Sequence, residues 1–407
     1  MTNDENLNSM SDSSPDSAHP GSSFDIRHST FLPPSTIGIL GGGQLGRMLA
    51  LEARRSGYRV AIYTDESPGC PAGHFADAEF NAAYDDQSTL AHFLSRVDVV
   101  TVEFENIPDA CLQAVEAVKP LRPGRRAIHI TQHREREKLF LREQGIACAE
   151  FRIIEDQAGL EKAVAELGRP CVIKTAAFGY DGKGQCKVNA DTDLAEAWKL
   201  FEGHHAVVEQ WVPFVCEISV VGARGVDGRM AVHGVVENQH AHHILDLSIS
   251  PARVDSAIMD QALELWEAVA VGLDYIGTMA VEMFVTADGR VLVNEIAPRP
   301  HNSGHFTIDA CISNQFQQQM RAICGLNLGD PTQHSPAVMI NLLGDVWPEP
   351  KIHPDWSPVL QHPRAKLHLY GKAEARAKRK MGHITVLGET IEEALESAQE
   401  IKRRLGL

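Results

Sequence analysis

A chain of 407 residues, 43% hydrophobic and 23% charged, is long enough for two or three domains, and its longest apolar runs are strand-sized, which excludes a transmembrane helix. The formal net charge of −16 argues against a general nucleic-acid binder, while local basic clusters remain available to hold a small phosphorylated ligand. The eight cysteines show no Cys-x-x-Cys spacing, and several sit inside apolar runs, the pattern of buried thiols in a reducing cytoplasm rather than of disulfides or a zinc site.

Residues 1 to about 30 are rich in Ser, Asp and Asn, without apolar periodicity or the hydrophobic run of a secretory signal. They predict a disordered tail, bounded at residue 34. Order begins at Thr36-Ile-Gly-Ile-Leu40, a buried-strand run ending in Gly41-Gly-Gly-Gln-Leu-Gly46. A helix over 47–56, a stop at Gly57 and a strand over 60–63 complete a β-loop-α-β unit. Val97 to Val102 reads as a further strand, closed by Glu103-Phe-Glu-Asn-Ile-Pro108 and a helix. This alternation predicts an α/β, Rossmann-like parallel-sheet domain over 35–133.

Gly41-Gly-Gly-Gln-Leu-Gly46 matches the dinucleotide fingerprint Gly-x-Gly-x-x-Gly, with Asp65 placed as a candidate ribose acid. Three readings stay open on these residues. They are an NAD-dependent oxidoreductase, a tight turn that only starts a helix, and a helix N-terminus that binds some other phosphate.

From about 135 the texture changes. A charged helix over 134–144 leads to Pro170-Cys-Val-Ile-Lys174, a glycine-rich segment and Gln185-Cys-Lys-Val188, two strands whose connecting loop suits a lid over a phosphate chain. Within it, Gly179, Gly182 and Gly184 let backbone N–H groups approach phosphate oxygens, and Lys174 and Lys183 supply charge. No Gly-Lys-Ser/Thr opens a helix, so this is not a Walker loop. Strands over 207–212 and 218–221 follow. The backbone of Glu209-Gln-Trp-Val212 suits reading an adenine edge, with a nearby carboxylate such as Glu217 for ribose hydroxyls. His240, His242 and His243 lack metal-site spacing and read as polar loop histidines.

Asp288-Gly289 is a two-residue hairpin signal between β-branched runs. If those two residues form the turn, Ala287 pairs with Arg290 and Glu282 falls opposite Glu295. Like charges facing across a sheet are unfavourable. A divalent cation resolves the conflict, with Asn294 as a further oxygen ligand and phosphates completing the shell of a hard Mg²⁺. Arg299-Pro-His-Asn-Ser-Gly-His305 follows, and an arginine beside a metal-bound triphosphate suits stabilising a transferring phosphoryl group. The region 134–332 reads as α+β. Beyond it, strands around 337–343 and 366–370 and a helix from Thr390 predict a small β-rich domain over 333–407. There Lys372 and Arg376-Ala-Lys-Arg-Lys380 form a basic cluster suited to a substrate phosphate.

These motifs, in this order, resemble the ATP-grasp superfamily, and more closely its N5-carboxyaminoimidazole ribonucleotide synthase family, from about Ile37 to the C-terminus. The most specific segments are 41–48, 101–107, 179–185, 294–305 and 381–383. The resemblance implies an ATP-grasp fold and an ATP-dependent carbon-nitrogen ligase. ATP would meet Arg134, Lys174, Gly179, Tyr180, Asp181, Gly182, Lys183, Gly184, Gln185, Glu209, Gln210, Trp211, Val212, Glu217, His240, Asn294 and Glu295. Glu282 and Glu295 would hold Mg²⁺. Arg299 and Asn302 would face the phosphoryl group and bicarbonate, and with Lys183 they are the expected catalytic side chains. The ribonucleotide phosphate would sit among Gln44, Lys372, Arg379 and Lys380, with Asp181 near its amine and Glu103 and Glu105 facing the same region.

The resemblance also implies a cytoplasmic homodimer acting on ATP, bicarbonate and 5-aminoimidazole ribonucleotide, with no nucleic-acid or membrane partner. Two departures stand out. His133 replaces the usual Asp before the arginine, and Ala377-Lys378 replaces a Pro-Gly pair, which bears on the rigidity of that loop. The nearest alternative is another ATP-grasp ligase, such as a formate-dependent glycinamide ribonucleotide transformylase or a biotin-carboxylase-like enzyme. A dehydrogenase predicts NADH binding, and a non-catalytic nucleotide sensor predicts ATP binding without turnover.

Overall fold

The computed structural model describes residues 29–176, 184–201 and 205–407. Its N-terminal part is a parallel sheet in the order β3-β2-β1-β4, from β1 (Thr36–Leu40), β2 (Arg59–Thr64), β3 (Ala78–Asn81) and β4 (Val99–Val102). One face buries Ile37, Ile39, Val60 and Ile62 against helices Gln44–Arg55 and Gln315–Ile323. The other buries Leu40, Tyr63, Val100 and Val102 against helices Gln87–Leu94 and Asp109–Glu116. Cover on both faces is why β1, β2 and β4 read as largely apolar runs, while β3, Ala-Glu-Phe-Asn at the sheet edge, does not. The first helix begins at Gln44 rather than 47, because the glycine loop ends at Gly43.

Residues 29–34, assigned above to the tail, are held against the body. Phe31 N donates to Cys324 O at 2.8 Å, and Tyr58 Oη donates to Phe31 O at 2.8 Å. Arg122, 2% exposed, donates to Ile323 O at 2.6 Å and Ser29 O at 3.0 Å. Phe31 packs on the Met320–Ile323 core, an apolar anchor that a Ser/Asp/Asn composition conceals.

The middle of the chain builds a four-stranded antiparallel sheet ordered β5-β8-β6-β7, from β5 (Phe151–Ile154), β6 (Cys171–Thr175), β7 (Gln185–Val188) and β8 (Ala206–Gln210). A second, eight-stranded antiparallel sheet comprises β9 (Phe214–Arg224), β10 (Met230–Ala241), β11 (Ile244–Ser250), β12 (Gly277–Thr286), β13 (Val291–Ala297), β14 (Ala337–Leu343), β15 (Ala365–Leu369) and β16 (Lys380–Leu387). Its order is β13-β12-β9-β10-β11-β14-β16-β15. The C-terminal strands thus extend the same sheet through the β11–β14 pairing. Leu247, Ile249, Val338, Ile340 and Ile384 share one core with helix Ile391–Leu405, whose Thr390 side chain caps it.

His242 and His243 form the two-residue turn between β10 and β11, both at positive φ. All eight cysteines are free, five of them buried. Among the described residues no helix is long and apolar enough to cross a membrane.

Candidate active site

The β12–β13 hairpin sets Glu282 opposite Glu295, as expected, but by a different route. The turn is not the two-residue loop of the sequence reading. Thr286 N donates to Arg290 O at 3.0 Å, Gly289 adopts φ +79°, and Ala287 does not pair with Arg290. A three-residue loop shifts the register by one, and a bulge at Asn294 shifts it back, since Met283 pairs with Val293 and Glu282 with Glu295. The bulge also brings adjacent side chains to one site. Asn294 Oδ1 lies 3.5 Å from Lys174 Nζ, and Glu295 Oε2 lies 3.8 Å from Arg134. Burial, then the facing Glu295 charge, raises the Glu282 carboxyl above its ordinary value. Two carboxylates and an amide oxygen are hard donors that fit a divalent cation.

Glu209, on β8, is the hub of the basic wall. Its Oε2 lies 3.0 Å from Lys174 Nζ and 3.5 Å from Lys138 Nζ, and its Oε1 lies 3.9 Å from Arg134. Burial opposes the charge, but Lys138, Lys174 and Arg134 overcome it and pull the carboxyl down to about 2. Its carboxylate is therefore committed to these cations. Glu217 Oε2 in turn lies 3.1 Å from His240 Nδ1. Burial would lower the His240 pKa, yet Glu217 raises it. Trp211 carries Lys187 over its ring at 3.5 Å, and Gln210 and Val212 flank it. Gly184, at φ +71°, has no room for a Cβ, which would lie 2.4 Å from Thr175 Oγ1, and Gln185 pairs with Lys174. Gly179, Tyr180, Asp181, Gly182 and Lys183 lie outside the described residues.

Arg299 is clamped by Glu105 in a bidentate pair, Nε to Oε2 at 2.5 Å and Nη2 to Oε1 at 3.1 Å. Burial would lower the guanidinium pKa, and Glu105 raises it above its usual value. Burial likewise raises the Glu105 carboxyl, and Arg299 reverses that and lowers it. His301 Nε2 sits 3.2 Å from Glu282 Oε1. Asn302 is 7% exposed, and its Nδ2 has no hydrogen-bond partner, a buried donor aimed at nothing the protein supplies.

The glycine loop carries an internal anion. Glu103, just beyond β4, accepts from Gly43 N at 2.6 Å and Gly46 N at 2.9 Å, filling the start of the first helix. A Cβ on Gly41 would lie 2.3 Å from the Glu103 side chain, and one on Gly43 2.6 Å. These glycines make room for a carboxylate where a dinucleotide pyrophosphate would sit, and Asp65 is exposed. The NAD reading is corrected on this ground. Gln44 opens the helix beside this carboxylate.

Lys372 donates to Lys380 O at 2.8 Å, and burial, then Arg379, presses its pKa down to about 8. Arg379 Nη1 donates to Glu374 O at 2.9 Å. Lys380 lies within electrostatic reach of both Glu105 and Glu282, where its charge favours the carboxylate forms. Lys378 takes φ +63°, a left-handed conformation that glycine adopts without strain, and its N–H donates to Asp345 Oδ2 at 2.6 Å. The Asp345 bond holds the loop in this turn with Ala377-Lys378 in place.

Sequence reasoning missed Lys138 and Glu137. Lys138 is wholly buried, donating to Asn294 O at 3.0 Å. Glu137 accepts from Ile296 N at 3.0 Å, and burial, then Glu295, pushes it up to about 7. Lys138 stands four residues after Arg134, on the same helix face, and that spacing was the available signal.

A sheet pair bracketing buried lysines, paired carboxylates and an adjoining arginine defines an ATP-grasp enzyme, a class that uses ATP with a divalent metal. Residues 139–316 match the ATP-grasp domain family, 35–132 the ribonucleotide synthetase preATP-grasp domain, and 337–397 the phosphoribosylaminoimidazole carboxylase C-terminal domain. The N5-carboxyaminoimidazole ribonucleotide synthase of Bacillus subtilis is 42% identical over 364 residues, covering 89% of this chain and 94% of its own. A crystal structure of an ADP complex of an N5-carboxyaminoimidazole ribonucleotide synthetase superposes with a TM-score of 0.87 at 43% identity, over 93% of this chain and 100% of that one. An Aspergillus clavatus N5-carboxyaminoimidazole synthase, in complex with ADP and 5-aminoimidazole ribonucleotide, gives 0.82 at 30% identity over 93% and 99%. The chain belongs to the N5-carboxyaminoimidazole ribonucleotide synthase family, ATP-dependent ligases of purine biosynthesis.

Proposed function

We propose that this chain carboxylates 5-aminoimidazole ribonucleotide with bicarbonate at the cost of ATP, giving N5-carboxyaminoimidazole ribonucleotide, ADP and phosphate in de novo purine biosynthesis. The observation that carries this reading is the continuity of the C-terminal strands with the sheet that bears Glu282 and Glu295, through the β11–β14 and β14–β16 pairings, which sets Lys380 at the start of β16 within electrostatic reach of Glu282 and Glu105. A nucleotide site and a second phosphate site are then adjacent. The match of 337–397 to the carboxylase C-terminal domain disfavours a glycinamide ribonucleotide transformylase.

In this reading Lys174, Arg134 and the 179–185 loop bind the ATP phosphates, Glu209 to Val212 with Glu217 and His240 bind the nucleoside, and Glu282, Glu295 and Asn294 hold Mg²⁺. Bound there, Mg²⁺ would neutralise the phosphate charge. Bicarbonate attacks the γ-phosphorus to give carboxyphosphate and ADP. The amine of the ribonucleotide then takes the carboxyl carbon, or CO₂ released from it, and phosphate leaves. Arg299 stabilises the transferring phosphoryl charge with Lys183, and Asn302 offers its unpaired Nδ2–H to bicarbonate. Lys372, Arg379, Lys380 and Gln44 grip the ribonucleotide phosphate, with Asp181 at its amine. Exclusion of water protects a hydrolysable intermediate.

The division into 35–133, 134–332 and 333–407 belongs to the same reading. So do a cytoplasmic setting, supported by eight free thiols, and a homodimer, which rests on family resemblance and is tested by sedimentation equilibrium. The test of the phosphate site is Lys372→Ala. It raises KM for the ribonucleotide about tenfold or more while leaving KM for ATP near wild type; equal effects on both would move the phosphate elsewhere.

A further inference from the structure

Behind the carboxylate pair runs a row of buried polar side chains that the chemistry above does not use. Ser219 of β9 stands opposite Glu282 in the β12 register. It is fully buried, as are Ser303 and Ser248, and Asn238 is 5% exposed. Ser248 Oγ donates to Asn238 Oδ1 at 3.1 Å, and Asn238 Nδ2 donates to Ser219 Oγ at 2.9 Å. Ser219 Oγ donates to Ser303 Oγ at 2.8 Å, and Ser303 Oγ lies 3.0 Å from His301 Nδ1. His301 Nε2 then faces Glu282 Oε1 at 3.2 Å. Hydroxyls and an amide threaded through a sheet core are costly unless every member is satisfied, so a complete chain of them calls for a use.

A backbone bond beside the last link fixes the direction at His301. The backbone N–H of Ser303 can only donate, and it points to His301 Nδ1 at 3.3 Å. Nδ1 is therefore an acceptor, the imidazole is neutral, and its proton sits on Nε2, facing Glu282. Gln315 holds the same residue by its backbone, accepting from His301 N at 2.8 Å and donating to His301 O at 2.9 Å. The ring thus has its tautomer set from one side and its position from the other. The donor engages one oxygen of Glu282 and orients the carboxylate, as outer hydrogen bonds orient ligands at metal sites generally.

We infer that Ser219 is a positioning residue for the reaction, acting through Ser303 and His301 to aim the Glu282 carboxylate at the cation. This rests on the reading of Glu282 as a metal ligand.

Mn²⁺ binding in the presence of ADP, followed by electron paramagnetic resonance on the full chain, separates the two. Ser219→Ala weakens Mn²⁺ about tenfold, within the range for outer-shell changes at metal sites, and leaves KM for the ribonucleotide unmoved. In a His301→Gln background, Ser219→Ala gives no further loss, because its route is already cut. Additive losses, or wild-type affinity in Ser219→Ala while Glu282→Gln abolishes binding, would overturn the inference alone. Undiminished binding in Glu282→Gln would overturn the metal reading and the inference with it. Should Ser219→Ala fail to fold, ¹⁵N-histidine spectra of the unaltered protein decide. The signal lost in His301→Gln is expected as the Nε2–H tautomer, and an Nδ1–H tautomer there contradicts the relay.

Discussion

Glu282 and Glu295 face each other across β12 and β13 because two one-residue offsets, a three-residue turn and a bulge at Asn294, cancel. Without a cation the pair is a liability that the rest of the hairpin must outweigh. Replacing Glu295 by Gln removes the repulsion, and because Glu295 is half exposed the relief is small, about 0.5 kcal/mol. Glu295→Gln is therefore expected to melt at or slightly above the wild-type temperature in metal-free buffer, while losing ADP formation. Calorimetry paired with a turnover assay checks both; an active Glu295→Gln enzyme would remove the carboxylate from the metal site.

Glu209 yields a pH prediction. Its folded pKa of about 2 lies below the ordinary 4.5, so its stabilisation is complete above about pH 4.5 and is lost as pH falls toward 2. Across that window it amounts to something on the order of 3 kcal/mol. Glu209→Gln is destabilised at neutral pH, where Lys138 and Lys174 lose their counter-charge. Its urea midpoint should fall less steeply between pH 5 and 2 than the wild type's. Parallel acid limbs would mean the hub contributes little.

His133 occupies the N-cap of helix Arg134–Glu143 without a side-chain cap bond, and its Nδ1 is buried without a partner. An aspartate there accepts from the first-turn N–H groups and favours the helix dipole. His133→Asp is predicted to raise stability by about 1 kcal/mol, read as a rise in melting temperature with turnover retained. A lower melting temperature would show that the imidazole packs better than it caps.

The parallel domain was legible because β1, β2 and β4 are apolar runs covered on both faces and the first helix follows a glycine turn, whereas β3, Ala-Glu-Phe-Asn and only half-buried, and the helix capped by Asp86 carry no such signal. The Glu282–Glu295 pair was legible only in outcome, since the turn count was wrong by one and an unforeseen bulge repaired it. Lys138 was hidden in Arg134-Glu-Arg-Glu-Lys138, where a charge run reads as a solvated face, and only the fold turns one of its sides onto Glu209. Glu103 was visible as a residue but not as the anion filling the glycine loop, because that contact spans 60 residues. The joining of β14 to β11 is likewise a long-range pairing with no local signature.

The most direct measurement is ADP release from MgATP by the purified chain, with and without 5-aminoimidazole ribonucleotide and labelled bicarbonate. The account predicts that ADP forms strongly only when the ribonucleotide is present, with label entering an acid-labile product in step with ADP. ATP turnover indifferent to that ribonucleotide, or no incorporation of label, would contradict it.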